Sequence, residues 1–183
     1  TKNASENIVA YIGNSNTWNI VNASASTNTV TANSWNHIAL TYSMPYYYLC
    51  VNGTVKSLAT TYTYVQTSAF QNIVFGTNGS ATYNMYIDEF RVSSIARYTT
   101  TYTSPASEFT TDSATIYLNN MTAPSASKWT SSAYISNGNV RFGKSSLYCD
   151  RNGRFSEVTL PSSLTSNWST DFWVSPIDNS GSS

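Results

Sequence analysis

Asp88 and Glu89, in the stretch Tyr86-Ile-Asp-Glu-Phe-Arg-Val92, are the one adjacent pair of carboxylates in the chain. Cleavage of a glycosidic bond with retention needs two carboxyls about 5 Å apart on the two sides of that bond. Neighbouring residues of a strand point to opposite faces, so this pair is expected not to act together. The expectation is that Asp88 and Arg91 satisfy local hydrogen bonds, and that the chain is not an enzyme. His37 is the sole histidine. With no second His and no Cys or Ser in a recognisable pattern beside it, it reads as a structural strand residue rather than part of a triad or zinc site. Cys50 and Cys149 leave two readings open. An extracellular chain favours a disulfide, whereas alternation puts Cys149 on the face of Leu147 and Cys50 opposite Leu49 and Val51, which disfavours one.

Aromatic side chains offer a different chemistry, because sugars stack on their faces while Asn and Asp bind hydroxyls. Trp35, Tyr46 and Tyr48 fall by parity on the face away from the core, and Trp18 and Tyr83 are placed at the rim. Packing is the competing role for most of the 14 tyrosines.

The elements that position these residues read as strands. In Asn33–Ser43, Ile38, Leu40 and Tyr42 alternate with His37 and Ala39; in Tyr46–Gly53, Tyr47, Leu49 and Val51 alternate with Tyr48 and Cys50. Met44-Pro45 and Asn52-Gly53 are turn signals, the second a hairpin turn because both residues tolerate positive φ. Further strands are expected at Asn7–Ile12, Trp18–Val21, Asn72–Gly76, Tyr83–Ser93, Thr115–Leu118, Lys144–Asp150, Arg154–Leu160 and Thr170–Pro176, with one helical turn at Ser94–Arg97. Short strands punctuated by turns predict an all-β antiparallel sandwich. Its core should include Ile38, Leu40, Leu49, Val51, Phe90, Val92, Leu147 and Phe172. Residues 99–114 are rich in Thr and Ser without periodicity, the composition of a linker.

Charged residues are only 10% of the 183, and the formal net charge is zero. That removes the basic footprint of a nucleic-acid binder. No apolar run approaches the roughly 18 residues of a membrane span. The sequence opens without Met, which suggests a processed product, a fragment or one unit of something longer. Abundant Ser, Thr, Asn and Tyr lean towards an extracellular, cell-surface or virion-surface setting. The sequons at Asn3, Asn22, Asn52, Asn78, Asn120 and Asn167 are no more than such a composition gives by chance.

The order Trp35-Asn-His-Ile-Ala-Leu40, Tyr48-Leu-Cys-Val-Asn-Gly53, then Tyr86-Ile-Asp-Glu-Phe-Arg-Val-Ser-Ser-Ile-Ala-Arg-Tyr-Thr99 resembles laminin-G-like domains of the concanavalin-A-like lectin/glucanase superfamily. The closest likeness is to versions in phage tail and bacterial surface proteins. In that family the last motif ends the domain. Residues 142–160 (FGKSSLYCDRNGRFSEVTL) and 169–178 (STDFWVSPID) instead resemble its beginning. The resemblance thus implies a jelly roll in rotated order, with 1–98 as the C-terminal part of a sandwich, 99–114 as linker and 115–183 as the N-terminal part. A permuted monomer, one period of a tandem array, and segment exchange between neighbouring chains would each produce it.

The resemblance also implies that Trp35, Tyr46 and Tyr48 lie on the sheet where relatives bind glycans. It raises Ca²⁺ as a possible ion, with Asp150 and Asp178 as candidate ligands in loops, although Arg151 and Arg154 crowd the first. No other cofactor is expected. The glucanase pattern of alternating carboxylates on one strand is not matched. Two functions follow: a non-catalytic adhesive building block of a fibre, whose partners are copies of itself or adjacent repeats, or a lectin module for cell-surface glycans.

Overall fold

The structure, a computed structural model, describes residues 5–14, 17–58, 72–76, 84–121, 129–131, 134–149, 155–159, 164 and 167–177. Strands β1 (Ser5–Asn14) and β2 (Thr17–Thr31) form a long hairpin. They are followed by β3 (Asn36–Ser43), β4 (Tyr46–Val51), β5 (Thr54–Leu58), β6 (Asn72–Gly76) and β7 (Met85–Ser93). Next come β8 (Thr115–Asn119), β9 (Trp129–Ser131), β10 (Tyr134–Ser136), β11 (Ser146–Cys149), β12 (Phe155–Thr159) and β13 (Asn167–Pro176). The described residues contain no helix, and Ser94–Arg97 form none. The chain is an all-β antiparallel sandwich.

The main sheet runs β10-β11-β7-β13-β3-β4-β5, with β8 also paired to β7. A second sheet has the order β6-β12-β9, and the β1–β2 hairpin pairs with the strands of neither. Strand β13 lies between β7 and β3, so the main sheet interleaves strands from 1–98 and 115–183. The Asn52-Gly53 turn forms as expected: Val51 faces Thr54, and both turn residues have positive φ, 49° and 84°.

Alternation sends one side chain of each pair to the core face. Ile38, Leu49, Val51, Phe90, Val92 and Leu147 are buried there, and Leu40 and Phe172 are partly buried against them. Val21 and Val30 of the hairpin join this core, packed with Ile8, Ala10 and Ile12. At roughly 25 cal/mol per Å² of apolar surface, burial in this cluster favours packing of the hairpin against the main sheet.

The other face of the main sheet is polar and is covered by the segment the composition assigns to a linker. Three spaced aromatics, Tyr98, Tyr102 and Phe109, anchor residues 98–110 against it. The Tyr102 amide donates to Gly53 O at 3.1 Å, and the Phe109 amide to Glu89 Oε2 at 2.6 Å. The ends of this strap are tied together: Ser94 N donates to Ala114 O, and Arg97 forks onto both oxygens of Asp112 at 2.7 and 2.8 Å. Residues 99–114 are therefore a cover over the sheet within one chain. Average composition concealed the anchors because only two of these sixteen positions carry the buried aromatic contacts, Tyr102 and Phe109.

Candidate functional site

Beneath the strap, β3, β7 and β13 place His37, Arg91 and Asp171 side by side. Arg91 Nε and Nη2 donate to the two oxygens of Asp171 at 3.1 and 2.8 Å, a bidentate fork that delocalised guanidinium suits. The Tyr98 hydroxyl donates to Asp171 Oδ2 at 2.7 Å and accepts from Arg91 Nη2 at 3.0 Å. His37 Nδ1 lies 2.7 Å from the Tyr102 hydroxyl, and its Nε2 is 3.5 Å from Asp171 Oδ2. That last distance is longer than an ordinary hydrogen bond, so the contact is electrostatic. Burial alone would raise the Asp171 carboxyl; His37, the Arg91 guanidinium and the Tyr98 hydroxyl reverse this and hold it below the usual carboxylate range. Tyr–His–Asp adjacency could in principle relay a proton. Here His37 and Asp171 are fully buried and every partner belongs to the strap or the sheet.

Asp88 and Glu89 lie next to this group, and their placement corrects the alternation argument. Asp171 faces Arg91 and Trp173 faces Asp88, leaving Phe172 opposite both Glu89 and Phe90. This is a β-bulge, and Glu89 occupies it with a φ of 54°. The extra residue keeps Phe90 in the core while both carboxylates belong to the polar face. Their roles differ. Asp88 Oδ2 accepts the amides of Arg141 and Phe142 at 2.9 and 3.1 Å, and its Oδ1 accepts the Glu89 amide at 2.9 Å. It thereby pins a second cover, residues 138–143. Glu89 pins the strap. Burial pushes Asp88 up to about 6 against the pull of its three amide donors, and pushes Glu89 up to about 7 against the Phe109 amide, with Asp88 and Glu108 adding repulsion.

The face is completed by rings. Trp173 meets His37 edge-on at 5.2 Å, Arg141 lies 4.2 Å over Trp173, and Arg91 lies 4.3 Å over Phe109. Cys50 belongs here too: its thiol approaches Tyr98 O at 3.5 Å, and burial followed by the Asp171 charge pushes it up to about 12. Cys149 is in the core on the opposite face, and the two cysteines form no disulfide with each other.

Of the expected aromatic candidates, Trp35, Tyr46 and Tyr48 are spread along the sheet and do not converge. Trp35 precedes β3 and donates to Asn139 Oδ1 at 3.1 Å. Tyr46 is exposed and faces Ser43 at the far end of β3, about eight residues or roughly 26 Å along the strand from Trp35. Tyr48 lies between, half-buried against Ala39, Cys50 and Tyr98. Trp18 lies on β2, of whose side chain nothing is described, and Tyr83, Asp150 and Asp178 fall outside the described residues. Among the described residues no group of three or more His, Cys, Asp or Glu is placed to hold a metal ion.

An aromatic row that sequence reasoning missed crosses β7, β11 and β10. Tyr86 faces Tyr148, which faces Tyr134, with ring centroids 5.0 Å apart at each step. Tyr134 at the sheet edge is 49% exposed. Tyr86 and Tyr148 were visible in the expected strands, but β10, which brings Tyr134, was not among them.

Residues 2–101 match a laminin-G family model described as the concanavalin A-like lectin/glucanases superfamily. Neither curated proteins nor solved structures give a match. The matched segment carries β1 to β7 and spans over half of the sequence, so the chain belongs to the concanavalin A-like lectin/glucanases superfamily as a laminin-G-like domain.

Proposed function

We propose that the chain is a non-catalytic adhesive building block of an extracellular or virion-surface fibre. The supporting observation is the position of β13: a strand from the second segment is hydrogen-bonded on both edges by strands of the first. Neither segment makes the main sheet alone, as a rotated sandwich requires, and the same pairings could be supplied by a neighbouring chain or repeat. The carboxylates support the non-catalytic part, because Asp88 and Glu89 hold two covers in place instead of lining a cleft. Multi-angle light scattering across a concentration series tests the assembly. Growth into linear species is expected; a compact monomer at every concentration would contradict it.

The tyrosine row favours a second reading, a lectin module. Three rings in a row, running from half-buried Tyr86 and Tyr148 out to exposed Tyr134 at the sheet edge, would offer ring faces on which a neutral glycan could stack. Loss of glycan-array binding on Tyr148→Ala, with Tyr46→Ala unaffected, would support it; no binding by the native chain would dismiss it.

A further inference from the structure

We propose that residues 98–110 form a latch over the polar face of the sheet, with Glu89 as its pH-sensitive pin: closed in mild acid, and released as the surroundings turn neutral to alkaline. Glu89 is fully buried in a bulge and in the left-handed region that a non-glycine residue enters only when its surroundings force it. One oxygen accepts the Phe109 amide, while Oε1, sealed from solvent, has no hydrogen-bond partner. His37 Nε2, also beneath the strap, makes no hydrogen bond and has only its electrostatic contact with Asp171. Buried polar atoms left without a partner carry a desolvation cost that lifting the strap into water would relieve.

The charges around Glu89 set the direction of the switch. On its own strand are Asp88 and Arg91, and Glu108 stands beside Phe109 on the strap. Behind Arg91 lie Asp171 on β13, Tyr98 on the strap and His37 on β3. Arg141 lies over Trp173. Arg91 is already forked onto Asp171, which limits what it can offer an ionised Glu89, and Asp88 and Glu108 repel that charge. Ionisation is easier once the strap is lifted. The open form therefore binds fewer protons than the closed form between the ordinary range of a glutamate and about 7, the value to which burial pushes Glu89 here. In that window each pH unit shifts the balance up to about tenfold towards opening, with no further change above it. Opening would uncover His37, Asp171 and Arg91, which Tyr98, Tyr102 and Phe109 of the strap cover.

Amide hydrogen exchange measured by NMR on the full chain tests this at Phe109 and Tyr102, whose amides hold the strap to Glu89 and Gly53. After division by the intrinsic exchange rate, the opening constant should rise up to about tenfold per unit between about pH 5 and 7. In Glu89→Gln, which cannot ionise, the rise should disappear. A flat profile in the native chain, or a full rise retained in Glu89→Gln, would overturn the proposal. If Glu89→Gln does not fold, the native profile decides alone, since its being flat excludes a titrating pin. The amides of β3 provide the reference for global unfolding.

Discussion

Replacing Asp171 by Asn keeps the size of the side chain but removes the charge on which Arg91, Tyr98 and His37 converge. Arg91 would be left as a buried cation without its partner, a loss of about 3–5 kcal/mol in systems where one member of such a pair is removed. Urea denaturation should show this as a lower midpoint. The carboxylates also shape the response to pH. Asp88 and Glu89 keep their protons to higher pH in the folded chain than in the unfolded one. Their contribution to stability is thus full in acid, declines as pH rises from about 4 to about 7, and stays constant above. Asp112 works in the opposite sense: hydrogen bonds from Arg97 and Thr115 lower it to about 2, so its contribution is present above about pH 4 and lost towards 2. The melting temperature should accordingly peak near about pH 4–5, and a maximum above pH 7 would contradict these assignments. The sequence marks Asp88, Arg91 and His37 as residues engaged in structure. It does not mark their partners, because Asp171 lies 80 positions from Arg91 and no local spacing signals the pair.

The elements divide by how much local information they carry. Strong alternation makes β3 and β4 legible without coordinates, and the Asn52-Gly53 turn ends β4, although β5 beyond it is not among the expected strands. The bulge in β7 is not legible, since one inserted residue reverses parity without any Gly or Pro to announce it. The strap is concealed by its Thr/Ser content, although Gly53 records its approach. A Cβ on Gly53 would stand 2.1 Å from Tyr102 O, at a φ of 84°. Gly53→Ala should therefore displace the strap and cost more than about 1 kcal/mol, measured by denaturation and by faster exchange of the Tyr102 amide. Phe90→Ala addresses the other face of the same strand. Phe90 is fully buried against Tyr117 and Phe172, and its removal should cost about 3–5 kcal/mol, without the strap-specific change in exchange.

For the whole molecule, we propose that the two sequence segments make one sandwich in an order rotated relative to the laminin-G-like pattern, since their strands interleave in the main sheet. The rotated order itself is proposed from the resemblance of 142–178 to the opening of that pattern. Which strands would touch depends on pairings between residues far apart in sequence, such as Thr170 with Leu40 and Val92. The exposed residues Thr110 and Thr111 offer a place to cut without touching a strand. A protease site inserted between them, cleaved in the folded protein, can be followed by size-exclusion chromatography with light scattering and by circular dichroism. The two pieces should remain together with the β signal intact, because β8, β11 and β13 hold to β7 and β3 without the covalent link. Separation into two pieces, each folded by itself, would contradict the claim.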